Sequence, residues 1–287
     1  MSRDPRSALR AILSGSEAVV PASVFDPISM RMAGDLGFRL GMLAGSTASL
    51  AVLGAPDMVV LTLTEFADIA GRVTRAGSIP LLVDADHGYG NALNVRRTIE
   101  ELETAGAAGL TIEDTLLPQA FGETRTQLIS LEEGVGKMKA ALDARGDPSL
   151  VVIGRTGAAS ISSLDDAIAR ARAYEAAGVD ALFFTGIKAR AELEAIAAAT
   201  SLPIVLGGAP EAMSDPGYLA GQRVRIALQG HAPFAAATQA VYETLKALRE
   251  GLPPKALKGL ASAELTGRLT REAEVKARGR EWLGLAK

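Results

Sequence analysis

Asp84 and Asp86 form a D-A-D segment at the end of one apolar run, and Glu113 ends the next. Carboxylates brought to neighbouring strand ends repel one another unless a cation neutralises them. An all-oxygen donor set selects a hard ion such as Mg2+, which takes few protein ligands and keeps several waters. The chain has no cysteine and only two histidines, His87 and His231. Thiolate zinc, iron–sulfur ligation, a disulfide framework and a cysteine nucleophile are therefore excluded. An isolated loop aspartate more often caps a turn or helix, but the D-x-D pairing with Glu113 after the following run favours the metal.

Arg155 follows V-V-I-G and would set a guanidinium at the same mouth. It could form a structural ion pair with one of the acids, or serve as a fork that binds a substrate carboxylate through two parallel hydrogen bonds. A metal and an arginine together suit a small dianion. Gly45-Ser46-Thr47 offers backbone N–H groups and hydroxyls to a carboxylate or oxyanion. His231 ends the last apolar run, across the mouth from the acids, as a catalytic residue that orients a carboxylate or protonates an enolate, or as a structural histidine. His87 adjoins the acids but opens the turn Gly88-Tyr89-Gly90, and both roles stay open for it.

Something must hold these residues together. Short runs rich in Val, Ile and Leu recur at 19–25, 40–44, 80–84, 110–113, 150–155, 181–185, 204–206 and 224–228. Their near-continuous apolarity predicts strands covered on both faces, as in a parallel sheet with helical crossovers. Between them, Val95, Ile99 and Leu102 share one face of a helix at 95–105. Ser163 is the expected N-cap of a helix at 164–177 that Gly178 ends, and 188–200 reads likewise. A weak repeat (A-G-D-L-G-F-R-L-G-M-L, A-G-A-A-G-L-T-I-E-D and A-G-V-D-A-L-F-F-T-G) joins a helix end to a strand each time. The pattern predicts an α/β fold, a (β/α)8 TIM-type barrel, with its site at the C-terminal ends of the strands. The alternative is a doubly wound open sheet, but no G-x-G-x-x-G follows the first run.

Residues 1–252 are read as the barrel domain. Pro253-Pro254 breaks the chain, and 253–287 is charged and helix-prone. Its leucines at 257, 260, 265, 269 and 283, with Trp282, predict a C-terminal helical extension packed on a partner subunit rather than a solvated tail. The 287 residues carry 30 Lys+Arg against 33 Asp+Glu and are 48% hydrophobic, which excludes a disordered chain and leaves no broad basic surface for nucleic acid. No run approaches the roughly 18–20 apolar residues of a membrane span, and the N-terminus lacks a secretory apolar region, so a cytoplasmic location is expected.

In its motifs the chain resembles the isocitrate lyase/phosphoenolpyruvate mutase superfamily. The carriers are G-S-T-A-S-L at 45–50, D-A-D-H-G-Y-G-N at 84–91, T-I-E-D-T-L-L-P at 111–118, G-R-T at 154–156 and G-H-A at 230–232. The resemblance implies a Mg2+-dependent barrel acting on α-keto acids through enolate-like states, usually a tetramer with exchanged C-terminal helices. By position, Asp84 resembles the direct metal ligand, and Asp86 and Glu113 resemble residues that bind the metal through water. Ser46 and Arg155 resemble the ligands of the substrate carboxylate. The lyase branch carries K-[KR]-C-G-H after the fourth strand, where this chain has P-Q-A-F-G-E-T-R-T-Q, so cleavage of isocitrate or methylisocitrate is not expected.

The combination of motifs, with L-I-S-L-E-E-G-V-G-K, is most similar to the oxaloacetate decarboxylase branch, whose substrate-site histidine matches His231. That resemblance implies decarboxylation of a small α-keto dicarboxylate, oxaloacetate, to pyruvate and CO2. Mg2+ is the implied cofactor, with Mn2+ as a substitute and no organic cofactor, in a homo-oligomer built as a dimer of dimers. Alternatives are phosphonomutase, phosphoenolpyruvate hydrolase or C–C lyase chemistry, and, in another class, a barrel that binds a carboxylate without turnover. Two departures bear on the substrate: Gly157 after R-T, and the nonpolar L-G-G-A-P that ends the seventh run.

Overall fold

The computed structural model describes residues 4–284. Its strands are β1 (Ala22–Ser23), β2 (Gly41–Leu43), β3 (Leu81–Asp84), β4 (Gly109–Glu113), β5 (Val151–Thr156), β6 (Ala181–Thr185), β7 (Ile204–Gly207) and β8 (Val224–Leu228). They pair in parallel and in sequential order, and a parallel bridge between Val19 and Ile226 joins the approach to β1 with β8. Sequential order with this closing bridge makes a (β/α)8 barrel; a doubly wound sheet would reverse its order at a switch point.

The crossovers carry α2 (Pro27–Asp35), α3 (Gly45–Leu53), α4 (Leu63–Ala76), α5 (Ala92–Thr104), α6 (Leu131–Ala144), α7 (Ala158–Ile161), α8 (Leu164–Ala177), α9 (Arg190–Ala199) and α10 (Pro216–Gly221). The ends of α8 fall where the sequence puts them. The Ser163 side chain accepts from Asp166 N–H, and Gly178, at φ 100°, takes the left-handed conformation that ends the helix. The first run yields only a two-residue strand, because Pro21 has no N–H to donate and Asp26 turns away to cap α2 in a capping box with Ser29.

Every strand but the two-residue β1 is buried on both faces, and its two faces meet different surroundings. Met42, Leu82, Ile153, Phe183, Val205 and Ile226 fill the barrel interior. Their chain neighbours Leu43, Val83, Val152, Leu182 and Leu206 pack under the helices. One more step of the inward alternation reaches Ala44, Asp84, Arg155, Thr185, Gly207 and Leu228, all at the mouth. Period two thus runs beneath the apolar composition and aims the polar residues at one place.

The opposite end of the barrel is closed by α1 (Pro5–Leu13), whose Leu9, Ile12 and Leu13 join the interior cluster. Gly109 makes room for it, since a Cβ there would lie 2.7 Å from Leu9 Cδ2. Arg10 donates to the carbonyls of Pro148, Ser149 and Leu150 and pairs with Asp180 at 3.1 Å.

The chain divides into two compact units, Met1–His231 and Ala232–Lys287. The first holds every strand. The second contains α11 (Ala232–Arg249), α12 (Ala263–Thr270) and α13 (Glu272–Leu283). The division therefore precedes α11, whereas the sequence places its break at Pro253-Pro254. Among the described residues of the second unit only Leu269 is buried, and α11 buries none. The end of the expected extension, 285–287, lies outside the described residues. No helix among the described residues is long and apolar enough to cross a membrane.

Candidate active site

A cavity of about 440 Å3 opens at the C-terminal ends of the strands. Ser46, Asp84, Asp86, Glu113, Arg155 and His231 all line it. Asp84 and Arg155 arrive by the inward alternation of β3 and β5, and Glu113 by that of β4 through Thr111. Thr111 Oγ1 donates to Asp84 Oδ1 at 2.9 Å. Arg155 Nη1 donates to Asp84 Oδ2 at 2.6 Å and its Nη2 lies 3.0 Å from Glu113 Oε2. The guanidinium carbon stands 5.2 Å from the centroid of the Phe183 ring. Burial works against the charge on Arg155, but Asp84 and Glu113 outweigh it and push the group above its ordinary value. Arg155 is thus paired with two of the acids.

Asp86 sits outside that pairing. Its carboxylate rests against Gly45, where a Cβ would lie 2.6 Å from Oδ1 and 2.9 Å from Oδ2. Burial first, then the charges of Asp84, Glu113 and Asp57, push its pKa well above the ordinary carboxylate range. Burial likewise raises Glu113 despite Arg155. Asp86 belongs to a strained turn: Asp86, Gly88, Tyr89 and Gly90 all have positive φ, at 48°, 78°, 59° and 147°. Three bonds hold it there. Glu113 N–H donates to Asp86 O at 2.8 Å, Lys137 Nζ to His87 O at 2.9 Å, and Thr98 Oγ1 to Gly88 O at 3.1 Å.

On another side of the cavity, Ser46 lies in the first turn of α3, whose N-cap Ala44 supplies no side-chain capping bond. His231 Nδ1 lies 2.9 Å from Ser23 Oγ. Asp57 and Val59 come from the loop after α3, with Val59 at φ 56°. Burial, helped by Asp84, raises the Asp57 carboxyl.

His87 does not line the cavity. It is buried, and burial, reinforced by Lys137, pushes its imidazole down to about 4, leaving it neutral. Thr47 turns back to Ala44 O at 3.0 Å. Asp114, beside Glu113 in the chain, accepts instead from Arg170 Nη1 at 3.0 Å and Tyr174 OH at 2.8 Å. Sequence reasoning missed Asp57, Ser23 and Phe183. Ser23 shares the parity of the interior residue Val19 four positions earlier, a usable signal. Asp57 offers none, since it lies in a loop beyond a helix. The nonpolar end of β7 also has a use: a Cβ on Gly207 would lie 2.9 Å from Phe183 Cε2, so the glycine admits the ring that faces Arg155.

The donor chemistry fits a hard divalent cation. Four carboxylates line the cavity against one guanidinium, and among the described residues Asp86 has no ion-pair partner. The Tyr89 hydroxyl, in the field of Asp86 and Asp84, is buried without a hydrogen-bond partner. Among the described residues no three His, Asp or Glu groups form a closed ligand cage. An ion that keeps much of its water needs none.

Four carboxylates, one arginine and one histidine around a small cavity at the strand ends stand where enzymes of the (β/α)8 class keep their active sites. The chain belongs to the phosphoenolpyruvate phosphomutase family, whose model it matches over residues 9–249. It is 74% identical over 285 residues to an oxaloacetate decarboxylase of Bradyrhizobium diazoefficiens, covering 99% of each chain. It is 70% identical over 285 residues, again 99% of each, to an oxaloacetate decarboxylase of Rhodopseudomonas palustris. Among solved structures it resembles a phosphonopyruvate hydrolase in complex with oxalate and Mg2+, with TM-score 0.86, 28% identity, and coverage of 98% of this chain and all of that one.

Proposed function

We propose that this protein is a divalent-metal-dependent oxaloacetate decarboxylase, which breaks the bond between C3 and C4 of oxaloacetate to give pyruvate and CO2. The observation that carries the reading is the gathering of Ser46, Asp84, Asp86, Glu113, Arg155 and His231 around one cavity, in a chain so similar to named oxaloacetate decarboxylases over its whole length. Asp84 would hold Mg2+, or Mn2+ in its place, directly, with Asp86 and Glu113 acting through water and no organic cofactor required. Bound there, the ion would polarise the ketone and stabilise the negative charge that develops as CO2 departs.

The protein's own groups do the rest. Arg155 stays protonated, and a substrate carboxylate competes with Asp84 and Glu113 for its two Nη groups. Ser46 and the first N–H groups of α3 hold the same carboxylate. His231 faces the carboxylate that leaves. Met42, Phe183 and Leu228 add apolar wall, which limits the water available to that group. The proposal takes 1–252 as the catalytic barrel domain and 253–287 as an extension packed on a partner subunit. It includes a homotetramer arranged as a dimer of dimers, and a cytoplasmic location.

The test is pyruvate release from oxaloacetate with Mg2+, with EDTA, and after Mg2+ or Mn2+ is restored. EDTA should abolish turnover and the metal should recover it. Asp84→Ala should lose Mg2+ binding and activity, and Asp84→Asn, which keeps an acceptor for Thr111 and Arg155, should do so while remaining folded. Full activity in metal-free protein would sink the mechanism. Phosphate release from phosphonopyruvate or phosphoenolpyruvate, without pyruvate release from oxaloacetate, would replace it with phosphonate or phosphoenolpyruvate chemistry.

A further inference from the structure

Ser23 and His231 are brought side by side by the closure of the barrel. Val19 pairs with Ile226, so the strand ends four and five residues further on run in parallel to the same rim. Ser23 is fixed from behind, since the N–H groups of Ala22 and Val24 donate to Leu40 O and Met42 O at 2.9 Å each. His231 follows Gly230, at φ 76°, which turns the chain at the end of β8. Both side chains line the cavity, and their one mutual contact is Ser23 Oγ to His231 Nδ1 at 2.9 Å.

Two directions are compatible with that bond, and each leaves one donor of the pair for the cavity. A serine hydroxyl carries one hydrogen, and among the described residues Nδ1 is the one partner recorded for Ser23 Oγ. If Nδ1 carried the ring proton, the hydroxyl hydrogen would have no protein acceptor. If the hydroxyl donates to Nδ1, the ring proton sits on Nε2, the form a neutral imidazole intrinsically prefers, and Nε2–H is the donor this pair leaves for a ligand. Burial pushes His231 below its ordinary value, against the pull of Asp84 and Asp57, which agrees with a neutral ring.

We infer that Ser23 is a positioning residue, whose hydroxyl fixes His231 as the Nε2–H tautomer and aims that N–H into the cavity as a neutral donor to the leaving carboxylate. The identity of that carboxylate rests on the function proposed above; the tautomer does not. A neutral donor suits a group that must lose its charge. A cation there would bind the starting carboxylate more tightly than the departing CO2 and raise the barrier. A ring held by Ser23 in this way has no second proton to give, so His231 binds and orients, and the proton that turns the enolate into pyruvate comes from water.

Because the chain has only two histidines, 15N-histidine labelling gives two ring systems, and His231→Ala identifies the pair of signals that belongs to it. The ring-nitrogen shifts of the parent should report Nε2–H for His231. Ser23→Thr keeps the hydroxyl and should keep that tautomer; Ser23→Val, of the same shape, should lose it. In turnover, Ser23→Val should raise the KM for oxaloacetate roughly threefold to tenfold with a smaller change in kcat, as the loss of one neutral hydrogen bond implies. Ser23→Val combined with His231→Ala should be no worse than His231→Ala alone. An Nδ1–H ring in the parent, or an unchanged Nε2–H ring in Ser23→Val, overturns the inference. Failure of the protein to decarboxylate oxaloacetate overturns the proposed function, and the ring-nitrogen result still decides the role of Ser23.

Discussion

Lys137, on α6, is 2% exposed and spends its ammonium on a backbone carbonyl, that of His87. That bond braces the turn that carries Asp86, in which two non-glycine residues have positive φ. A charged donor to a buried carbonyl is worth about 1.5–3 kcal/mol. Lys137→Met keeps the length of the side chain and removes the donor, so it should lower unfolding stability by about that amount. It should also weaken Mg2+ binding in titration calorimetry, since the turn that aims Asp86 would lose its brace. A variant with parent stability and parent Mg2+ affinity would show that the brace is idle. Residue types alone announced Asp84, Asp86 and Glu113, because carboxylates gathered at strand ends repel unless a cation sits among them. They did not announce Lys137, whose role depends on where a helix lays one side chain under a loop 50 positions away.

At the scale of elements, positions whose chemistry ends an element could be read directly. Ser163 and Gly178 delimit α8 because one supplies a capping oxygen and the other tolerates φ 100°. The runs at 181–185 and 224–228 match β6 and β8 residue for residue. The inward and outward alternation within each strand was hidden, since a barrel strand covered by helices is apolar on both sides. The floor of the barrel was hidden for another reason: α1 precedes the first strand and reveals its role only by filling the space that Gly109 leaves. Leu9 is fully buried in that floor, so Leu9→Ala should cost about 2–5 kcal/mol in chemical denaturation, the range for emptying a core leucine site. A loss below about 1 kcal/mol would mean that α1 is only loosely seated.

At the scale of the whole molecule, the second unit has apolar side chains and almost no interior. Val241, Tyr242 and Leu245 are 59–62% exposed on α11, and Trp282 is 68% exposed on α13. Scattered exposed leucines are ordinary on a protein surface, but an 18-residue helix without one buried residue is not. On the proposed homo-oligomer, a second copy covers it. Trp282 on α13 needs the same cover, so ending the chain at Pro254, which keeps α11 and removes α12 and α13, should lower the number of subunits found by light scattering, and an unchanged subunit number would refute the role of the extension. The exposed α11 also has a thermodynamic corollary. Apolar surface that is covered only by association contributes nothing to an isolated chain. Its contribution grows with the logarithm of protein concentration, so dilution would act on this protein as a denaturant does on others.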